Sequence, residues 1–274
     1  MSRSMIQAAV TMNQLQQKID VIGHNVANSQ TTGYKARQAE FSSLLYQQIN
    51  NLNDPANAEG RLTPDGVRVG SGAKLGSINI DLSVGSLQET GRALDIALLQ
   101  PNQLFQVSVT ENNVTETRYT RDGSFYLSPI ANNQVMLTTK DGAPVLGTTG
   151  QIIFENGFDD IQIADNGLIT VKRGMNTEVV GQLEVVEAVR PRLLEATGNN
   201  NFRLPNNLAA LGYNQAEIIQ EVPAQLKSGT LETSNVNMGK ELTDLITAQR
   251  SYQFNARIIS MGDQMMGLVS QLRS

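Results

Sequence analysis

The sequence contains no cysteine and no tryptophan, and its only histidine is His24. These absences exclude disulfides, thiolate chemistry and any metal site that needs several His or Cys ligands. Long apolar runs are missing as well. The longest run near the start, at 8–10, is shorter than the about 7 to 15 residues of a secretory signal, and no segment reaches the about 20 apolar residues of a transmembrane helix. If the protein leaves the cytoplasm, we expect it to use a route without a cleaved signal.

Positive charge is also scarce. The 274 residues include 21 Lys and Arg against 26 Asp and Glu, which gives a net charge of −5, and the basic residues form no cluster. A protein that binds nucleic acid or an anionic membrane surface needs such a cluster. We therefore predict no nucleic-acid partner and no direct insertion into a membrane. The length allows one large domain or two smaller ones with a real core.

Apolar residues at both ends of the chain are spaced three or four positions apart. This spacing predicts a helix from about Ser4 to Asn28 and a second helix that begins near Asn237. A line of apolar residues this narrow is typical of a coiled-coil seam, which needs a partner helix. We therefore predict that the two seams pair with each other or with copies of themselves. The first seam consists of Met5, Ala8, Met12, Leu15, Ile19, Ile22 and Val26, and the second of Leu245, Ala248, Tyr252, Ala256, Ile259, Gly262, Met266 and Val269.

The middle of the chain changes to a period of two, which is typical of strands. Alternating apolar residues begin at Ile78 and recur at Phe105. Further strands are predicted around 119, 135–137, 152–154, 161–163, 168–171 and 179–186. Residues that tolerate positive φ lie between several of them and predict tight turns, at Asp122-Gly123, Asp141-Gly142 and Asp165-Asn166-Gly167. The body is therefore predicted to be mainly antiparallel, and the predicted fold class is α+β.

The region between the first helix and the body is predicted to connect the two. The spacing of Phe41, Leu44, Leu45, Ile49 and Leu52 indicates a short helix. Residues 53–76 are rich in Gly, Pro, Asn and Asp, which favours a long loop or an extended arm. The predicted organisation is a terminal helical assembly domain (1–35 and 229–274), a connecting helix and loop (36–75), and a central β domain (76–228).

No group of residues has the pattern of a catalytic, cofactor or metal site. His24 has no acid–base or metal-binding partner near it in the sequence. The segment 70–76 reads GSGAKLG, which fits neither the P-loop nor the dinucleotide fingerprint. Met261, Met265 and Met266 are expected to fill a core at helical spacing rather than to form a binding surface. The sequence therefore predicts a protein that is not an enzyme and that needs no cofactor.

Six short motifs lie at both ends and in the first half of the body. They are NVANSQTTGYK (25–35), LDIA (94–97), YTRDGSF (119–125), VLG (145–147), LETSNV (231–236) and AQRSY (248–252). In this order they resemble landmarks of the bacterial flagellar rod and hook protein family. Two positions depart from the family pattern: His24 stands where asparagine is common, and LLQPN at 98–102 replaces a turn that usually contains glycine.

The resemblance implies a structural subunit of the flagellar basal-body rod in the cell envelope. Members of the family are exported unfolded through the flagellar type III export apparatus. They polymerise, with further copies and with other rod or hook subunits, into a helical tube that transmits torque and encloses the export channel. In the family, the paired terminal helices form the inner layer of this tube and the β body forms the outer layer. The single β body favours a rod subunit of the distal type, although the sequence leaves open proximal rod, distal rod or hook.

The resemblance also assigns roles to residues at the end of the first helix. Asn25, Asn28 and Tyr34 are expected to contact other subunits, and Gly33 to permit the turn. A structural role within the chain is the alternative for each of them.

Two other functions remain open at the level of the sequence. A secreted adhesin or binding module would also combine a β body with coiled-coil ends, but it would tolerate loss of those ends. An enzyme, such as a hydrolase of a wall polymer, would need convergent acidic residues on the β body, and the chain has no room for an additional domain that carries them.

Overall fold

The computed structural model describes residues 3–43, 46–49, 67–70, 73–208, 210 and 212–273. The chain divides into two compact units. The first is drawn from Met1–His24, Arg37–Asn79 and Gly239–Ser274, and the second from Asn25–Ala36 and Ile80–Met238. Helices occupy the two ends and strands occupy the body, so the predicted α+β class is confirmed.

The helices and strands have the following bounds in chain order: α1 (Arg3–Ala27), β1 (Arg37–Ser43), β2 (Tyr46–Ile49), β3 (Val67–Gly70), β4 (Ala73–Ile80), β5 (Leu87–Glu89), β6 (Ile96–Leu98), β7 (Gln103–Glu111), β8 (Val114–Thr120), β9 (Phe125–Ile130), β10 (Gln134–Thr139), β11 (Leu146–Gly147), β12 (Gly150–Gln151), β13 (Ile153–Glu155), β14 (Asp160–Ile163), β15 (Leu168–Arg173), β16 (Asn176–Gln182), β17 (Val185–Ala188), β18 (Glu195–Gly198), β19 (Asn201–Arg203), β20 (Ile219–Val222), β21 (Leu226–Ser228), β22 (Thr230–Glu232) and α2 (Met238–Arg273). Short 3-10 turns lie at Pro191–Leu193 and Gln215–Glu217.

The two helices begin and end where their local sequences predict. Beyond the end of α1, adjacent β-branched residues at Thr31 and Thr32 precede Gly33, whose φ of 67° is incompatible with continuation of a right-handed helix. α2 is preceded by Asn237, a residue type that favours helix starts. Glu241 lies in its first turn, where a negative charge is favourable. These local signals explain why the predicted boundaries lie within about one residue of the observed ones, a small difference for helix ends.

A six-stranded sheet forms the centre of the second unit, with the strand order β18-β19-β8-β7-β17-β20. Alternate residues of β7 enter two different cores: Phe105 and Val107 belong to one, and Leu104 belongs to the other. The sheet is therefore buried on both faces at β7, although the alternation in the sequence predicts a half-buried strand. Phe105 and Phe125 meet edge to face in the first core, with ring centroids 5.1 Å apart.

Asparagine pairs make several of the turns in the body. Asn112 and Asn113, with φ values of 52° and 63°, join β7 to β8. Asn132 and Asn133 lie between β9 and β10, and Asn199-Asn200 lies between β18 and β19, again at positive φ. Asparagine tolerates this backbone region better than any residue except glycine. Asn102 also has a positive φ of 60°, so it supplies in the LLQPN segment the conformation that a glycine would otherwise provide.

Two local predictions are wrong. Residues 41–43 and 46–49 belong to β1 and β2 rather than to a short helix, because β2 pairs with β3 and strand pairing overrides a short apolar spacing. Asp122-Gly123 does not close a hairpin, since β8 and β9 belong to different sheets. Within the predicted loop or extended arm at 53–76, residues 67–70 form β3 and 73–76 form the first part of β4, so these parts are extended; the other residues lie outside the described part. The turns at Asp141-Gly142 and Asp165-Asn166-Gly167 are confirmed.

Candidate assembly interface

The seam residues of α1 lie on the less exposed side of that helix. Met5, Ala8 and Ile22 are buried. The remaining members of the predicted set are half-buried, namely Met12, Leu15, Ile19 and Val26. Ile6, which lies off the seam, is exposed. The spacing in the sequence therefore corresponds to a real difference in burial around the helix.

The seam of α2 is buried only over the first two thirds of its length. Leu245, Tyr252 and Ile259 are half-buried, and Ala248 is buried. Met266 and Val269 are exposed at the far end. The helix is 36 residues long, and α1 is 25 residues long. At about 1.5 Å per residue, α2 is longer than α1 by roughly 16 Å.

The two helices meet within the first unit at Gly262. A Cβ atom built on this glycine would lie 2.8 Å from Cγ and 2.9 Å from Sδ of Met5, which is closer than such atoms pack in proteins. Gly262 therefore allows α2 to approach the start of α1. The two ends of one chain contact each other at this point, as one form of the seam prediction requires.

We expect Gly262→Leu to weaken the packing of the two helices. On helix propensity alone the substitution would stabilise α2 by about 1 kcal/mol, but the side chain of Met5 occupies the space. Overpacking of this kind costs about 1–3 kcal/mol, so the net effect should be a loss of stability measured by urea unfolding with far-UV circular dichroism. Gly267→Leu is the matched control, because no atom lies within 4 Å of a Cβ at Gly267. A stabilising Gly262→Leu substitution would contradict the contact.

A second apolar face runs along α2 and is exposed. Its members are Leu242, Ile246, Phe254, Met261, Met265 and Leu268. The expectation that Met261, Met265 and Met266 fill a core is therefore wrong for the single chain, since all three side chains are exposed. Exposed apolar residues that continue along one helix are typical of protein interaction surfaces. The seam spacing does not indicate this face, because it describes a single stripe of the helix.

The motif residues at the end of α1 and just beyond it lie inside the second unit. The hydroxyl of Tyr34 donates a hydrogen bond to Oδ1 of Asn25 over 3.1 Å, and both side chains are buried. Asn28 is half-buried, and its Oδ1 accepts a hydrogen bond from Thr31. These contacts show what the three residues do within the chain. Contacts of the same residues with other subunits stay a prediction.

Gly33 supports a close approach of two backbone segments. A Cβ at this position would lie 2.7 Å from both N and Cα of Asp122. The φ of 67° also disfavours any other residue type. The amide of Gly33 donates to the backbone oxygen of Glu232 over 2.9 Å. Gly33 thus does more than permit a turn: it brings the first motif onto the two motifs around Asp122 and Glu232.

A buried ion cluster lies where these three motifs meet. Oε1 of Glu232 accepts hydrogen bonds from Nζ of Lys35 at 2.5 Å and from the amide of Gly85 at 2.6 Å. Oε2 accepts from Nε of Arg121 at 2.6 Å. The side chains of Lys35, Arg121 and Glu232 are all at most 2% exposed. One carboxylate is therefore held by two cations from distant parts of the sequence.

Backbone oxygens accept further hydrogen bonds from the two cations. Arg121 donates to the carbonyl oxygens of Gln103 and Leu98, and Lys35 donates to that of Ser83. Burial lowers the pKa of Lys35 below its ordinary value, while the charges of Glu232 and, to a smaller extent, Asp81 act in the opposite direction. The stability of the buried cluster therefore depends on its hydrogen bonds as well as on its charges.

The cluster fixes the points where the chain enters and leaves the β body. Lys35 follows the end of α1, and Glu232 precedes the start of α2. Next to them, Oδ1 of Asn235 accepts from the amide of Ala36, and its Nδ2 donates to the carbonyl oxygen of Asp81. That these motifs meet does not follow from the sequence. The local signal is one or more charged side chains in each of the three motifs, among them Lys35, Arg121 and Glu232.

The described residues contain no group of three or more His, Cys, Asp and Glu side chains that could hold a metal ion. His24 is exposed. Within the same ranges, no helix has both the length and the apolar character that crossing a membrane requires. The geometry thus defines a class of protein. Buried ion pairs and hydrogen bonds hold the two chain segments that enter and leave the β body, and the paired terminal helices carry a further apolar face.

Three parts of the chain match models of known protein families. Residues 7–35 match the model for the flagella basal body rod protein, 100–171 match the flagellar hook protein FlgE/F/G D1 domain, and 227–272 match the flagellar basal body rod FlgEFG protein C-terminal. The chain is 41% identical over the full length of both proteins to the flagellar hook-basal body complex protein FlhP of Bacillus subtilis. It is 36% identical to the flagellar basal-body rod protein FlgG of Caulobacter vibrioides, with 97% of this chain and 98% of the relative covered.

The chain belongs to the flagellar basal-body rod and hook protein family. The family predicted from the six motifs is therefore confirmed. The names of these relatives give no support to an adhesin.

Proposed function

We propose that this protein is a structural subunit of the flagellar basal-body rod that assembles through its terminal helices. One observation carries the proposal: the exposed apolar face of α2, which begins at Leu242 and ends at Leu268, is present on a chain whose full length matches rod and hook-basal body proteins. An exposed face of this kind is unfavourable in an isolated protein. It becomes favourable when further subunits cover it.

The energetics favour helix-to-helix association. Full burial of a Leu, Ile, Met or Phe side chain contributes about 1.5–3 kcal/mol, so burial of all six side chains on this face contributes about 9–18 kcal/mol. This is comparable with the about 4–15 kcal/mol that association costs in lost translational and rotational freedom. α1 covers one side of α2 near Gly262, which leaves the second face for other subunits. If the contact between copies is head to tail and its rotation does not close, the result is a helical tube.

The same proposal includes the remaining expectations for the tube. It encloses the export channel, transmits torque, contains further copies together with other rod or hook subunits, and is located in the basal body after delivery by the flagellar export apparatus. We also propose three parts of the chain. They are a terminal assembly domain (1–35 and 229–274), a connecting region (36–75) and a central β domain (76–228). The names of the relatives describe structural proteins, which agrees with a function that is not enzymatic.

The decisive experiment places a charge in each seam. Leu15→Asp together with Ile259→Asp puts carboxylates at two half-buried positions, where the cost of desolvating a charge is several kcal/mol. We expect a deletion strain complemented with this variant to build no complete rod and to lose swimming in soft agar.

Asn13→Asp together with Gln253→Asp is the matched control. It adds the same two charges at exposed positions of the same helices and should leave swimming intact. Normal motility with the seam variant would show that the paired seams are not required for assembly. Export of both variants is followed by immunoblotting of the culture medium and the cell envelope, so that a defect in secretion is recognised.

A further inference from the structure

A cleft of about 680 Å³ opens beside the central sheet, between β8, β17 and β20. Its floor is formed by Tyr119, Val186 and Ile219, all buried. Its walls carry the carboxyl groups of Glu184 and Glu221. The volume lies within the about 300–1,000 Å³ range that is common for binding sites in proteins. An apolar floor with acidic walls suits a ligand that is apolar along its length and cationic at its tip.

The two carboxyl groups lie on the walls of the same cleft, where Glu184 is half-buried and Glu221 is exposed. Burial raises the pKa of Glu184, and the charge of Glu221 raises it further. Burial also raises the pKa of the Tyr119 hydroxyl on the floor of the cleft. The cleft thus contains two acidic side chains, of which Glu184 is partly desolvated.

No lysine or arginine among the described residues lines this cleft or acts on Glu184. Two other acidic groups of the body illustrate the alternative, because each has a cation of its own. Glu111 is paired with Arg118 over 2.6 Å, and Asp122 with Lys140 over 3.0 Å. Two acidic groups placed together without a cation are unfavourable, unless a cation arrives from outside the chain.

We infer that this cleft receives a lysine or arginine side chain from a neighbouring copy of the protein. The aliphatic part of either side chain packs on Val186 and Ile219, as long basic side chains do on apolar surfaces. The cationic group bonds to both carboxylates. The side chain of Gln106, which also lines the cleft, offers its amide oxygen as a further acceptor. A guanidinium group, with five donors in one plane, satisfies this set of acceptors best.

A divalent metal ion fits the cleft less well. Calcium takes about six to eight oxygen ligands, usually with several carboxylates. The described residues contain no group of three or more candidate ligands. Charge complementarity therefore favours an organic cation. That the cation belongs to another copy rests on the proposed function, since in a polymer each β body has copies beside it.

The binding chemistry is tested on the monomer by methyl NMR of the full chain. The probe is arginine blocked at both ends, and its uncharged counterpart is blocked citrulline. We expect blocked arginine to shift the methyl signals of Val186 and Ile219 in a saturable manner, and to lower the pKa of Glu184 as measured by carbonyl ¹³C shifts. Glu184→Gln together with Glu221→Gln should weaken this binding at least tenfold.

Glu187→Gln is the matched control, because Glu187 follows Val186 on β17 and points to the opposite face of the strand. It should bind blocked arginine as the unchanged protein does. Equal shifts with blocked citrulline, or unchanged binding by the double variant, would overturn the inference. The measured pKa of Glu184 in the unchanged protein keeps the test valid even if the double variant folds poorly.

The identity of the partner is tested in assembled basal bodies. A photoreactive benzoylphenylalanine at Gln220, an exposed residue at the cleft, should crosslink to a peptide of the same protein next to a lysine or arginine. Adducts with other proteins alone, or no adduct at all, would overturn the assignment to a neighbouring copy. Failure of the proposed function appears differently: the protein would be absent from basal bodies, while binding of blocked arginine by the monomer would persist.

Discussion

Glu232→Gln should destabilise the protein by about 3–5 kcal/mol, the range observed when one partner of a buried ion pair is removed. The substitution keeps the shape of the side chain but removes the negative charge that Lys35 and Arg121 share. Both cations then remain buried without a carboxylate that is bonded to them. The loss is measured as a lower free energy of unfolding in urea, followed by far-UV circular dichroism.

A surface ion pair supplies the control. Glu89→Gln removes the partner of Lys227, but that pair is largely exposed, so the unfolding midpoint should not change measurably. If Glu232→Gln had no larger effect than Glu89→Gln, the charge of the buried cluster would be irrelevant to stability. The combined change Lys35→Met, Arg121→Met and Glu232→Leu should recover most of the loss, because apolar side chains of similar size often replace buried ion networks without cost.

Gly123→Ala should also be strongly destabilising, by at least about 3 kcal/mol, near the upper end of the range for overpacking. A Cβ at this position would overlap the backbone carbonyl oxygen of Ile96. That oxygen belongs to β6, and the amide of Ile96 also donates to the carbonyl of Gly123 over 3.0 Å. The backbone therefore has to move, and the hydrogen bond between Ile96 and Gly123 is weakened or lost.

The matched control is Gly181→Ala. Gly181 lies in β16, and a Cβ there would meet Ile152 at ordinary van der Waals distances of 3.6 and 3.7 Å. This substitution should be neutral or slightly stabilising. Thermal unfolding of both variants by circular dichroism distinguishes the outcomes. A Gly123→Ala variant as stable as Gly181→Ala would contradict the close approach of the two backbones.

The elements that the sequence predicts well are those whose signal is local. α1 and α2 are recognised because helix periodicity, the Asn before α2 and the β-branched pair after α1 all lie within a few residues of the features that they determine. The strands of the body are recognised for the same reason. By contrast, the sequence predicts a helix where β1 and β2 form. The partner of β2 is β3, which begins only at Val67, so the local sequence around β2 does not contain the signal for pairing.

The candidate interface also combines a feature that the sequence predicts with one that depends on tertiary contacts. The first apolar line on each helix follows from spacing alone. The exposure of Phe254 and Met261 on the second face of α2 depends on what covers the helix, and spacing cannot reveal which apolar stripe receives a partner within the chain. The separate sequence prediction that the methionines fill a core failed at this point.

The buried cluster shows most clearly what the tertiary structure adds. Lys35 and Glu232 are 197 positions apart in the chain, and Arg121 and Glu232 are 111 positions apart. No local pattern connects them, even though each lies in a motif that resembles the family. The sequence by itself determined the two helices, the strand period of the body and the family. The tertiary structure alone decided which charges are buried together, which face of α2 stays exposed, and that Glu184 and Glu221 share a cleft, because burial and pairing depend on contacts between residues that are distant in the sequence.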